Sequence, residues 1–364
     1  MAGQLGRFWE VRGYVTEGSQ WLNSALQGEA TDKKHLANAL ITAGNLATLQ
    51  GKYAAAHSHL EKALQLYRDL DDKLGIATTL NNIGNIAYWL GQYATARIHY
   101  EEYLDAAREL NAQFNIAQAL GNLGYVNITT GNYASAQVFL EGGLQIARQL
   151  RLQNLIEFDL LNLGSIAFED GNYDEARKLF EETRLIADEL RDKRYIAAAA
   201  INLGITASAV GDYEKANELL EDSLRQLQEL EDKWGYANAL LAIGRVAMAQ
   251  KHYPNATLRF KQSIRLLHDM GSKETVAETL INLGDTKAAT ATKATAHGAV
   301  KLISSGSALL NTIGATLPHI QVPLKEAALT SCRAILSKRE YASAWAEGEA
   351  MTMEQAIDYA LRED

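Results

Sequence analysis

Residues 37–76 read ANALITAGNLATLQGKYAAAHSHLEKALQLYRDLDDKLGI. Leu40, Gly44 and Ala47 recur at helical spacing and share one face. Gly51 interrupts, and Tyr53, Ala56, Leu60 and Leu64 then mark a second helical face. The stretch predicts two antiparallel helices, over 36–49 and 53–70, with Gly51 between them. A hairpin of this kind cannot bury both of its faces alone, so neighbours must stack on it.

Outward from this stretch the pattern returns every 40 residues. Gly44, Gly84, Gly124, Gly164, Gly204, Gly244 and Gly284 keep the step without gain or loss. Gly51, Gly91, Gly131, Gly171 and Gly211 follow it, and Lys251 ends that series. Tyr53, Tyr93, Tyr133, Tyr173, Tyr213 and Tyr253 form a third ladder. A fixed period of this size predicts an all-α solenoid. The glycines in phase with Leu40 are expected inside helices, where they let two backbones approach closely.

The copies differ in informative places. Asn127 and Lys287 replace the small residue at the Ala47 position, and Tyr103 replaces one in the second helix. Arg184 stands where Leu64, Leu104, Leu144 and Leu224 stand. Ala291 and Lys293 replace the turn Gly and Tyr of the seventh unit. Gly6 and Gly13 repeat the spacing of Gly44 and Gly51, which predicts an atypical first hairpin with Phe8, Trp9 and Trp21 available to pack. Its abrupt entry, without a polar cap, reads as an array that begins inside a longer protein. From about Ala294 the pattern stays helical but leaves the step. Gly314–Pro318 reads as a turn or loop, and Thr352–Gln355 as a capping box. Three organisational parts are expected: an atypical hairpin over 1–36, the array over 37–293, and a degenerate last helix with a helical cap over 294–364.

The Leu-x3-Gly-x2-Ala face, the Gly-x-Tyr turn and the Ala-x3-Leu/Phe face resemble the tetratricopeptide repeat. The resemblance covers residues 37–284. It implies a right-handed superhelix of helical hairpins whose first helices line a concave groove. The 40-residue unit exceeds the family's usual length, which implies longer second helices and a wider superhelix. Two tail stretches, LISSGSALLNTIGATL (302–317) and EYASAWAEGEAMTMEQAIDYAL (340–361), resemble the C-terminal ends of bacterial STAND-type ATPases. These include LuxR-type and AfsR-like transcriptional regulators. The opening LGRFWEVRGYVTEG (5–18) is similar to the segment where their repeats begin. The resemblance implies a sensor array, with an ATPase domain upstream in the full-length protein.

Composition narrows the partners. The net charge of −9 argues against direct nucleic-acid contact and against an anionic membrane surface. No apolar run is long enough to span a membrane. Cys332 is the single cysteine, so no intrachain disulfide or thiolate cage forms, and a reducing cytoplasm fits. The eight histidines lack metal spacing; His57 and His59 point to different sides of a helix. No phosphate-binding loop, nucleophile elbow or other catalytic constellation is present. The expectation is a binding protein, not an enzyme, with no cofactor and no metal.

Candidate binding residues lie on the first helices. Asn82, Asn122, Asn162, Asn202 and Asn282 form a ladder two residues before the marker glycines, broken by Thr42 and Ala242. Asn45, Asn85, Tyr125, Ser165, Ile205, Arg245 and Asp285 lie one turn further, on the same faces. Amides both donate and accept, which suits the backbone of an extended peptide in the groove. The same asparagines also fit a structural role, bonding neighbouring helices. Tyr88, Trp89 and Phe168 end first helices; packing between repeats is the simpler role, anchoring a ligand the alternative. Arg245 and Asp285 are expected to pair with each other, or else to read a carboxylate and an amine of a ligand. Asp174–Lys178 and Glu221–Arg225 have the spacing of stabilising surface pairs. These residues predict a protein-, peptide- or small-effector-binding sensor. The alternative is a freestanding peptide-binding adaptor or scaffold.

Overall fold

The computed structural model describes residues 15–26, 32–270 and 272–362. Among them are eighteen α-helices, one short 3-10 helix and no strand. They divide between Val126 and Asn127 into two compact units. The expected Gly6, Gly13, Phe8 and Trp9 lie outside the described residues. Trp21 lies on α1 (Val15–Leu26) and is exposed.

The first unit contains α1, α2 (Lys33–Leu49), α3 (Tyr53–Asp69), α4 (Lys73–Trp89), α5 (Tyr93–Glu109) and most of α6 (Gln113–Thr129). The second begins at the end of α6 and continues through α7 (Tyr133–Leu150), α8 (Gln153–Glu169), α9 (Tyr173–Leu190) and α10 (Lys193–Ala209). It goes on through α11 (Tyr213–Glu229), α12 (Lys233–Ala249), α13 (Tyr253–Met270), α14 (Lys273–Ala289) and α15 (Lys293–Ile313). After His319–Gln321 come α16 (Val322–Ile335), α17 (Lys338–Glu349) and α18 (Met353–Arg362).

Local chemistry sets the boundaries. Asp32, Asp72, Asp192 and Asp232 cap first helices by accepting backbone N–H bonds, from Lys34 at 2.7 Å in the first case and Gly75 at 3.0 Å in the second. Five first helices end at a glycine of positive φ, from 70° at Gly51 to 84° at Gly211; α12 ends at Lys251, at φ 61°, and α14 at Thr290, where φ is negative. Glycine adopts a positive φ without strain. Between hairpins the same left-handed backbone falls on Asp71, Asn111, Arg151, Arg191 and Glu231, with φ of 50–57°.

The marker glycines are helical, as their phase predicts. A Cβ on Gly84 would lie 2.6 Å from the Tyr100 ring, on Gly164 2.5 Å from Phe180 and on Gly244 2.4 Å from Phe260. The second helix of each hairpin therefore crosses the first at van der Waals limit. The last hairpin keeps this device out of step. Gly284 meets Ile303, whereas the step from Phe260 would place Val300 there.

The tail closes the second unit. Ala356, Ile357 and Ala360 of α18 join the core formed by Phe260, Ile264, Leu280 and Leu302. Leu329, Cys332 and Ala344 of α16 and α17 pack on Ala299 and Ile303. Gly348 lies so close to α15 that a Cβ there would be 2.0 Å from the Ser304 hydroxyl. Thr352 and Gln355 exchange capping bonds at 2.9 and 3.2 Å, the box expected from sequence. Two expected surface pairs choose other partners. Asp174 pairs with Arg177 and Glu175 with Lys178; Arg225 takes Asp222, leaving Glu221 to Arg259. Spacings of three and four are equally close on a helix, so periodicity alone does not decide between them.

Candidate functional site

In the first unit the asparagines bond across hairpins. Asn82 Nδ2 donates to Asn45 Oδ1 at 3.1 Å, and Asn122 Nδ2 to Asn81 Oδ1 at 2.8 Å. Asn85 Oδ1 accepts from the Tyr100 hydroxyl at 2.8 Å. Tyr88 is buried, stacked on Tyr125 with ring centroids 4.8 Å apart, and touches Trp89 edge-on at 5.8 Å. Trp89 is 48% exposed and caps this aromatic cluster at the surface. Burial pushes the Tyr100 phenol well above its ordinary pKa.

In the second unit the ladder turns inward on its own helices. Asn162 donates to the Phe158 carbonyl at 2.8 Å, Asn202 to Ala198 at 3.1 Å, and Ser165 to Leu161 at 3.0 Å. Asn162 is buried, while Ser165 and Asn202 are half-buried. Asn282 is also buried, and it reaches beyond its helix. Its Nδ2 donates to the Glu278 carbonyl at 2.7 Å and to Gln321 Oε1 at 3.1 Å.

Gln321 ends a strap. Gly314, at φ 68°, terminates α15 and turns the chain away. Residues 315–318 have no regular structure, and Pro318 is extended at φ −49°, ψ 140°. Thr316 N–H donates to the Thr129 carbonyl at 3.1 Å, beside Gly131. The His319 ring stands edge-on against Tyr133, 4.5 Å between centroids. Ile320 N–H donates to Glu169 Oε2 at 3.1 Å. The Gln321 side chain is buried, and its Nε2 donates to Glu278 Oε1 at 2.6 Å. A segment that is irregular over 315–318 and a single 3-10 turn over His319–Gln321 is thus held by the ends of α6 and α8, the start of α7, and α14.

Arg245 pairs with Glu278, not with Asp285 as the sequence suggested. Asp285 is instead buried, and its Oδ1 has no hydrogen-bond partner. Burial pushes its carboxyl up to about 7, with Lys325 pulling the other way. Burial also raises Glu169, and the Ile320 N–H partly offsets this. Sequence reasoning missed Thr129, Tyr133, Glu169, Glu278 and Gln321 as site residues. Only Glu169 carried a signal: it is the sole acid at a position held elsewhere by Leu49, Trp89, Thr129, Ala209, Ala249 and Ala289.

Two further acids were missed. Glu157 and Asp159 are buried in α8, where other units carry Ala37, Ala77 or Ala197 and Ala119, Ala199 or Thr279. Both Glu157 oxygens and Asp159 Oδ2 lack hydrogen-bond partners. Burial pushes Glu157 to about 7 and Asp159 to about 8. Among the described residues no group of three or more His, Cys, Asp and Glu side chains is placed to hold a metal ion. No described helix is long and apolar enough to cross a membrane.

The family model for the tetratricopeptide repeat matches residues 75–149 and 157–229, and a second model of the same description matches 36–70. A model described as anaphase-promoting complex subunit 5 matches 203–286. No curated protein matches the chain. Solved structures share its fold. The apo form of RapI is 18% identical with a TM-score of 0.64, covering 74% of this chain and 97% of its own. The Rap conjugation gene regulator of plasmid pLS20, in complex with the Phr* peptide, is 14% identical with a TM-score of 0.62, covering 93% and 98%. NprR in complex with its cognate peptide NprX is 15% identical with a TM-score of 0.54, covering 73% and 80%. At these identities the likeness is one of fold. With its forty-residue hairpins, glycine crossings and matched models, the chain belongs to the tetratricopeptide-repeat proteins.

Proposed function

We infer that this chain is a peptide- or protein-binding sensor array, the ligand-reading region of a larger bacterial signalling regulator. The observation that carries the reading is the strap. The first-helix face of the second unit already holds two backbone N–H groups, through Glu169 and the Thr129 carbonyl, and a carboxamide, through Glu278 and Asn282. Those are the groups an extended peptide presents. Two solved structures of this fold are themselves peptide complexes by description. The resemblance of the tail to STAND-type regulators supports an ATPase domain upstream, which the full reading frame would reveal. The bonds of Asn82 and Asn122 favour a second reading for the first unit, a scaffold whose amides serve its own helices.

The test is fluorescence anisotropy of the full chain against pools of short synthetic peptides, grouped as acidic, basic and neutral amide-rich. The neutral and basic pools should bind and the acidic pool should not. Asn122→Ala and Asn282→Ala separate the two roles. Asn122→Ala should destabilise by about 1 kcal/mol, because it removes a bond between hairpins. Asn282→Ala removes an amide that reads a carboxamide on the second unit and should weaken peptide binding per folded molecule by roughly 2- to 12-fold. Absence of binding by every pool, in a chain that melts cooperatively, would leave the scaffold reading alone.

A further inference from the structure

The strap lies where an incoming ligand would lie. Two of its backbone donors, Thr316 and Ile320, are satisfied by groups of the repeats, while Gly314, Ala315 and Gln321 donate to Asn311, Leu310 and Pro318 of their own segment. The Gln321 amide is read at both ends, oxygen by Asn282 and nitrogen by Glu278. Recognition of backbone and of one carboxamide is the grammar of peptide binding, here within one chain. Charge fits as well. Burial first, then Glu169, Glu278 and Glu274, push the Tyr133 phenol pKa up, so three carboxylates face that ring. The strap Gly314–Gln321 contains no acid and one imidazole. Helices α15 and α16 anchor its two ends in the tail core, which keeps its local concentration high.

We propose that Gly314–Gln321 is a resident pseudo-ligand. It occupies a peptide site on the second unit, and an incoming peptide, free of acidic side chains and bearing a carboxamide, binds by displacing it. The inference rests on the peptide-binding reading above and adds the occupant and the chemistry of its competitor. A competent face that is mostly occupied lowers apparent affinity by the fraction left open. Weakening the strap therefore strengthens binding in trans.

The probe is a fluorescein-labelled synthetic peptide of this chain's residues 315–322, titrated into the full chain. His319→Ala with Gln321→Ala removes the ring contact and the carboxamide from the resident strap. This variant should bind the probe about tenfold more tightly than the wild type, the effect of a lost ring contact and the lost carboxamide bonds. Adding Glu278→Gln and Asn282→Ala should then abolish the gain. Equal affinity in wild type and released variant overturns the proposal, as does failure of the released variant to bind at all. Hydrogen–deuterium exchange on the wild type gives a reading independent of variant folding. Saturating probe should speed exchange at the strap amides Thr316 and Ile320. Unchanged exchange there, with probe bound, also overturns displacement. A pool peptide that binds wild type and released variant alike would sink the strap while leaving peptide binding standing. No pool peptide and no probe binding either protein would sink both.

Discussion

At Gly164 and Gly171 the same residue type meets opposite demands. Gly164 sits within a helix where a Cβ would lie 2.5 Å from the Phe180 ring. Gly171 sits in a turn at φ 78° with open space around it. Adding a side chain at the first forces two helices apart, while at the second it only strains one backbone torsion. Gly164→Leu should therefore cost about 3 kcal/mol or more, and Gly171→Ala about 1 kcal/mol. Urea midpoints of the two variants in one buffer check the order, and the reverse order would sink the packing argument.

At the scale of the element, one hairpin junction departs from its siblings. Leu144 packs with Leu160, and Leu224 with Leu240, at the joint between successive hairpins. The equivalent pair is Arg184 and Ala200. There the second unit carries a cleft of about 630 Å3, bounded by α9, α10 and α11, with Arg184, Leu185, Leu203, Val210 and Leu219 among its walls. Arg184 is half-buried and makes no hydrogen bond or ion pair within the described residues. Arg184→Leu should restore the apolar joint and stabilise the chain by about 1–2 kcal/mol. A higher urea midpoint is the expected result; a lower one would show that the guanidinium holds the joint together.

At the scale of the whole molecule, buried acids govern the response to pH. Glu157, Asp159 and Asp285 are raised by burial to about 7, about 8 and about 7. The unfolded chain releases these protons near pH 4, whereas the folded chain keeps them until pH 7–8. The folded state therefore binds more protons between those limits, and stability falls as pH rises through that window. Asp32, Asp72, Glu109 and Glu340 act oppositely. Their pKa values are lowered by hydrogen bonds and cations, so their contribution is lost as pH falls through the folded pKa, about 2 for Glu340. Asp32 and Glu109 are exposed and Asp72 and Glu340 half-buried, and surface pairs of this kind contribute little. Maximum stability is expected at mildly acidic pH. Thermal melts should show a melting temperature that drops from pH 5 to pH 8, and Asp159→Asn should remove much of the drop. A melting temperature that rises over this range would refute the assignment of these acids.

The sequence by itself determined the repeat, its hairpins, the helical glycines and the turn residues. Each depends on contacts within one unit or between adjacent copies, so each leaves a periodic trace. It also marked where copies deviate, at Arg184, at Ala291 and in the shifted last helix. Tertiary structure alone decided what the polar residues do. The asparagine ladder was legible, yet Asn122 bonds Asn81 while Asn162 bonds its own helix, a choice the period does not carry. Arg245 found Glu278 and left Asp285 buried because several acids lay within reach. The strap is the clearest case. Ile320 and Glu169 are 151 residues apart, and no period links them. Only the closing of the tail within the second unit brings that segment to the face.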